Sequence, residues 1–144
     1  MLNLYPPFLF NRIVIRSIAE DWHALELTIE RSRLNKNLNG TTFGGSISAA
    51  ADPIHAILFD QTFARRGQAI RAWTKSSRVD FLRPATARLH TRFELGPGDV
   101  DDAIEALDAT ERFERTYTVE ASNPDGEVCA RIEVLVHLRR PTPT

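Results

Sequence analysis

Cysteine is almost missing from this sequence: Cys129 stands alone among 144 residues. That excludes an intrachain disulfide and fits a reducing compartment. No Cys/His cluster has metal-ligand spacing, so neither a metal nor an organic cofactor is expected. An excess of one charge sign is missing too. Eighteen Lys and Arg face nineteen Asp and Glu, for a formal net charge of -1, so no field suited to nucleic acid or a membrane surface is expected. The basic pairs Arg65-Arg66 and Arg139-Arg140 read as solvated surface. No apolar run approaches the roughly 18 residues of a membrane span. The opening MLNLYPPFLF has no basic n-region and is interrupted by Pro6-Pro7, which makes it a poor signal peptide. The cytoplasm is the expected location. Repeats, low-complexity stretches and linkers are also lacking, and the length suits a single domain over 1–144. A chain of this size buries about 70% of its unfolded surface and needs no staples.

What is present is periodic. Pro6-Pro7 can open a helix, and Phe8, Leu9, Ile13, Ile15 and Ile18 recur at mixed helical spacing, which predicts a helix over 6–20. From His23 the period becomes two, with Leu25, Leu27 and Ile29 alternating against polar residues as in a half-wet strand. Asn-, Gly- and Thr-rich residues 35–45 read as loop. A strongly helical run follows, carried by Ile47, Ala50, Ala51, Ile54, Ile57, Leu58 and Phe63 up to Arg65-Arg66-Gly67. Its small apolar interior predicts burial on most sides. Pro53 predicts a kink, with Asp52 biased away from helical geometry.

Strands are expected over 70–83, around Leu89 to Leu95, from Phe113 to Glu120 and from Val128 to His137. Residues 97–108 read as loop with a short acidic helix, Asn123 to Gly126 as a hairpin turn and 141–144 as a tail. Cys129 falls mid-strand as a packing residue. The order α-β-α-β-β-β-β predicts an α+β domain in which an antiparallel sheet lays one face on a long helix. Its unpaired edges predict a homo-oligomer.

Candidate chemistry concentrates between Asn37 and Asp52. Gly44-Gly45 precedes a buried helix whose first N–H groups lack partners and carry the positive end of the dipole. Two glycines there can admit a carbonyl oxygen developing negative charge, or simply allow tight packing. Asp52 is costly to bury in an Ala- and Ile-rich segment. It is either a surface carboxylate beside a kink or a general base or nucleophile in a pocket. His55, one turn on, could pair with it or face solvent.

These residues resemble a family. Asn37 to Gly45, with Asp52 seven residues after the second glycine, is similar to the phenylacetic-acid-degradation branch of hot-dog-fold thioesterases. That branch carries an Asn, a His-Gly-Gly opening the central helix, and an Asp at this offset. Thr41 to Gly45 with Ala51-Asp52-Pro53, then Trp73-Thr74-Lys75, then Val79 to Pro84, resemble the DUF4442 subgroup over roughly Phe8 to Arg139. The resemblance implies a hot-dog dimer or tetramer with an acyl-thioester pocket at the dimer interface, to which the helix read over 6–20 adds an extra N-terminal helix. It implies Gly44 as the oxyanion-hole amide, supported by Gly45, and Asp52 as the catalytic carboxylate. Asn37 would position the carbonyl or the water, and Thr74 stands where related enzymes hold water from the second subunit. Two positions depart from the pattern. Phe43 replaces the His of His-Gly-Gly, as is usual in the subgroup, and Thr74 replaces an acidic residue.

On this basis the expected activity is hydrolysis of an acyl thioester such as acyl-CoA. The acyl chain would lie among Phe43, Ile47 and Phe59, near His55, and Lys75, Arg78 and Arg83 would meet the carrier's phosphates. The competing expectation is a non-catalytic acyl-binding protein, since Phe43 lacks the imidazole donor. A hydratase would need a His paired with the acidic residue, for which only His55 is at hand.

Overall fold

The computed structural model describes residues 2–142; Met1 and the last two tail residues, Pro143 and Thr144, lie outside them. The expected helix over 6–20 is two elements. Helix α1 covers Pro6–Asn11 and ends where Arg12 turns left-handed at φ 59°, its N–H meeting the carbonyls of Leu9 and Phe8. Strand β1 (Ile13–Ile18) follows at once. The apolar spacing had fused a helical pair, Phe8 and Leu9, with strand residues Ile13 and Ile15. Arginine is not a residue that announces such a turn.

Strand β2 (Ala24–Ile29) pairs antiparallel with β1. The turn between them holds Trp22 at φ 61°. The central helix runs as α2 (Gly44–Ala51) and α3 (Ile54–Arg65), interrupted at Asp52-Pro53 as expected. Proline cannot donate to the carbonyl one turn back, yet Asp52 keeps helical angles (φ -51°, ψ -56°) against expectation. Flanking bonds from Asp52 N–H to Ser48 and from Ile57 N–H to Pro53 carry the path across the break.

Strands β3 (Arg71–Phe81) and β4 (Leu89–Glu94) come next. The acidic segment is a full helix, α4 (Asp99–Thr110), rather than a loop with a short one. Asp99, Asp101 and Asp102 oppose its dipole in the first turn, and Val100, Ala103 and Leu107 are buried at helical spacing. Strands β5 (Arg112–Ser122) and β6 (Val128–Arg139) form the closing hairpin.

The six strands make one antiparallel sheet in the order β1-β2-β4-β5-β6-β3. Inward residues such as Leu25, Leu27, Phe93, Ile132 and Val134 pack with Ile54, Leu58, Phe59 and Phe63 of α3 in one core. Cys129 is buried there, as expected. Helix α1 adds Phe8 to that core and is tied to α2 by the Ser46 hydroxyl donating to Asn11 at 2.7 Å. The two sheet edges differ. On β1 the Asn3 amide holds both the N–H and the carbonyl of Ile15. Among the described residues nothing pairs with the outer edge of β3. No helix described is long and apolar enough to cross a membrane.

Candidate functional site

Asn37 builds the loop ahead of α2. Its side-chain oxygen accepts the N–H groups of Asn39 and Thr41, both at 3.0 Å, and its amide donates to the Thr41 hydroxyl at 2.8 Å. The loop is then clamped by Thr42 N–H on Ala85 and Phe43 N–H on Asn35. Asn37 thus shapes the loop with its oxygen and one amide N–H, and it lines the groove beside Gly44. The clamp delivers Gly44 and Gly45 as the first two residues of α2, and among the described residues neither N–H is given a partner. Aromatic rings lie against both. A Cβ on Gly44 would stand 2.8 Å from the Phe81 ring, and one on Gly45 would stand 2.3 Å from the Phe43 ring. Only glycine lets both rings lie so close. A groove of about 490 Å³ opens here, lined by Asn37, Thr41, Gly44, Ile47, Phe81 and Arg83.

Asp52 lies in a second groove of about 330 Å³, with Ala56, Ile57, Asp60, Trp73 and Thr74. Its side chain is exposed in the single chain and makes no ion pair among the described residues. The Thr74 hydroxyl donates to the Asp52 backbone carbonyl within the same chain. Lys75 follows at an irregularity in the β3–β6 register. Such bulges re-aim side chains, and Lys75 is drawn to Glu114 at 2.7 Å. That bond, with a second from His137, holds the Glu114 carboxyl below its ordinary value. Arg83 lines the Gly44 groove and meets Glu127 at 3.7 Å, while Arg78 pairs with Asp80. The described residues bring together no group of three or more His, Cys, Asp or Glu able to hold a metal ion.

Asp52 is eight residues beyond Gly44. At 1.5 Å per residue that is about 12 Å along the helix. That separation is too large for one thioester carbonyl carbon to be in contact with both within a single chain. The two residues nevertheless flank one strand: Thr74, near the start of β3, holds Asp52, and Phe81, its last residue, covers Gly44.

Residues 1–138 match the family described as a domain of unknown function, DUF4442. The chain belongs to the DUF4442 family. Solved structures agree on the fold. A Pseudomonas aeruginosa protein of unknown function, called a probable thioesterase, superposes with a TM-score of 0.79 at 18% identity over 90% of this chain and 83% of that one. A thioesterase from Haemophilus influenzae gives 0.70 at 13% identity over 96% and 86%. The PaaI protein of the Escherichia coli phenylacetic acid degradation operon gives 0.66 at 18% identity over 100% and 90%. Identities this low carry the hot-dog architecture alone. No curated protein matches the chain.

Two expected pocket residues of this DUF4442 chain lie elsewhere. His55 is 1% exposed, so it neither faces solvent nor pairs with Asp52. Its ring stacks on Tyr117 at 4.1 Å and meets Phe93 edge-on, and its Nδ1 has no partner. Burial pulls its pKa down to about 4, against weaker upward pulls from the Glu94 backbone and Asp99. Phe59 is fully buried beside Phe63, Phe113 and Tyr117 and lines neither groove. Helical position puts both near Asp52 along the chain, but α3 turns those faces into the core. Sequence reasoning missed Phe81, which covers Gly44. It also missed the buried Asp99, which accepts from Tyr117 at 2.6 Å, from Gly96 N–H at 2.7 Å and from Arg115. Little local marks either, because Gly44 lies on α2, far from Phe81 in the chain, and the Tyr117 and Arg115 partners of Asp99 lie on β5.

Proposed function

We propose that this protein is an acyl-thioester hydrolase, acting on acyl-CoA or a related thioester, whose sites form between two copies joined along β3. The observation that carries the proposal is the placement of Asp52 and Gly44 at opposite ends of one unpaired edge strand. Two such edges paired antiparallel bring Thr74 and Asp52 of one copy towards Phe81 and Gly44 of the other. A C2 axis makes two equal sites in this way. It also covers the strand edge, which an isolated chain leaves exposed.

In such a site the Gly44 amide, at the positive end of α2, stabilises the oxyanion as the thioester carbonyl is attacked. Asp52 takes a proton from the attacking water. When the tetrahedral intermediate collapses, the C–S bond breaks and that proton goes to the departing thiolate, leaving the free acid and the thiol. Thr74 fixes the backbone from which Asp52 projects. Phe43 and Ile47 offer apolar surface to the acyl chain. Lys75 and Arg83 are the candidate cations for the carrier, although each already has a carboxylate partner.

The test is thiol release from a panel of short, long and aromatic acyl-CoAs, beside an Asp52→Ala control. Turnover that disappears in the control supports hydrolysis. A second reading, an acyl-binding protein with little turnover, is favoured by the Phe43 ring over Gly45, where the branch places an imidazole. It predicts bound acyl ligand without thiol release, and no change in Asp52→Ala.

A further inference from the structure

Much of the charge on the outward face of the sheet is paired. Glu26 meets Arg92 and His90, Glu120 meets Arg131, and Glu114 meets Lys75 and His137. At the end where β3 starts and β6 stops, three arginines instead stand in one row. Arg139 on β6 is directly opposite Arg71 on β3 and Arg112 on β5. All three are exposed, and none makes an ion pair among the described residues. Like charges directly opposite one another across strands are destabilising.

The carboxylates nearby do not relieve the row. Glu114 is taken by Lys75 and His137 at 2.7 Å each, and Asp108 by Arg140 at 2.6 Å. Glu111 shares the groove but pairs with neither arginine. The groove has a volume of about 430 Å³ and is lined by Thr110, Arg112, His137, Arg139 and Arg140. Trp73, two residues from Arg71, has the Arg139 guanidinium 5.7 Å from its ring centre. The row is thus held beside a flat exposed aromatic, with its guanidinium forks free.

We propose that the Arg71–Arg139–Arg112 row is a binding site for a phosphorylated ligand of diphosphate type. Guanidinium groups match phosphate oxygens two at a time. A dianionic or more highly charged group across the strands converts the repulsion into two or three charge-assisted hydrogen bonds. The row lies on the sheet face away from the central helix, so the proposal does not depend on thioester chemistry. The ligand is either the diphosphate of a coenzyme-type carrier or a free phosphorylated metabolite.

The experiment is calorimetric titration of the intact protein with inorganic pyrophosphate, ADP, coenzyme A and pantetheine. It is repeated with Arg112→Gln, Arg139→Gln and, as control, Arg66→Gln, whose partner Asp101 lies elsewhere. Pyrophosphate should bind the wild type and the control alike, and about tenfold or more weakly to either row variant. Each row variant should also melt no lower than wild type without anion, and lose the upward melting shift that pyrophosphate gives. Coenzyme A binding more tightly than pyrophosphate, with pantetheine silent, identifies the carrier as the source. Equal binding of ADP, pyrophosphate and coenzyme A identifies a free phosphorylated ligand. No binding of pyrophosphate at millimolar concentration, or equal affinity in the row variants, overturns the proposal. A protein that hydrolyses thioesters and ignores pyrophosphate overturns this inference alone.

Discussion

The Thr74 hydroxyl donates a hydrogen bond to the backbone carbonyl of Asp52 within one chain. This ties the open edge strand to the break in the central helix, at the one turn where proline has removed a backbone donor. Thr74→Val keeps the side-chain shape and removes the bond. It should cost about 1 kcal/mol of stability in urea unfolding and lower kcat with little change in KM, while Thr74→Ser should restore both. A Val variant with wild-type kcat would remove Thr74 from the site.

Asp52 is exposed and unpaired in the single chain. Asp52→Asn should therefore alter stability by no more than about 0.5 kcal/mol, yet lower kcat by about a hundredfold or more. Thermal melts beside thiol-release kinetics separate the two effects.

Sites shared between copies make a sharper prediction. Co-expressed Asp52→Ala and Gly44→Val chains, each inactive alone, should recover about a quarter of wild-type activity, because half the dimers then hold one intact site. Mixtures as inactive as their parents would place the chemistry within one chain.

His55 makes folding sensitive to acid. Burial holds its pKa at about 4 in the folded chain, against about 6.5 when unfolded. As pH falls through 6.5 the unfolded chain takes up a proton that the folded chain refuses. Stability is therefore full above 6.5, falls between 6.5 and 4, and loses this dependence below 4. The whole window is worth about 3 kcal/mol. Urea unfolding at pH 7, 5.5 and 4 should show the slope, and His55→Phe should flatten it.

Asp99 is also held below its ordinary value, for a different reason. Burial raises its carboxyl, and bonds from Tyr117, Gly96 and Arg115 more than offset that, holding it below the usual carboxylate range. Asp99→Ala leaves the Tyr117 hydroxyl without its acceptor and the Arg115 guanidinium with Asp102 alone. It should cost about 2–3 kcal/mol in chemical unfolding, with little change in kcat, since Asp99 lines neither groove.

Much was legible from local pattern. Alternation in β2, β4, β5 and β6 and the three- and four-residue spacing of the central helix reflect burial on one face, which each segment records in its own residues. The Asn123 to Gly126 turn and the break at Pro53 follow from backbone restrictions of one or two residues. The junction at Arg12 escaped because an arginine in left-handed geometry is stabilised by carbonyls behind it rather than by its own preference. The full length of α4 escaped because its first turn is acidic and reads as loop, although it is held by Arg115 of β5.

The sequence by itself therefore determined most of the elements, the polar loop before a glycine-opened helix and the membership in an α+β class, because these depend on neighbours along the chain. Only the tertiary structure decided which candidates share a surface. It turned His55 and Phe59 to the core, set Asp52 and Gly44 at opposite ends of one strand edge, and aligned Arg71, Arg139 and Arg112 across three strands. Those relations depend on strand register and helix rotation, which long-range packing sets and no local window of residues contains.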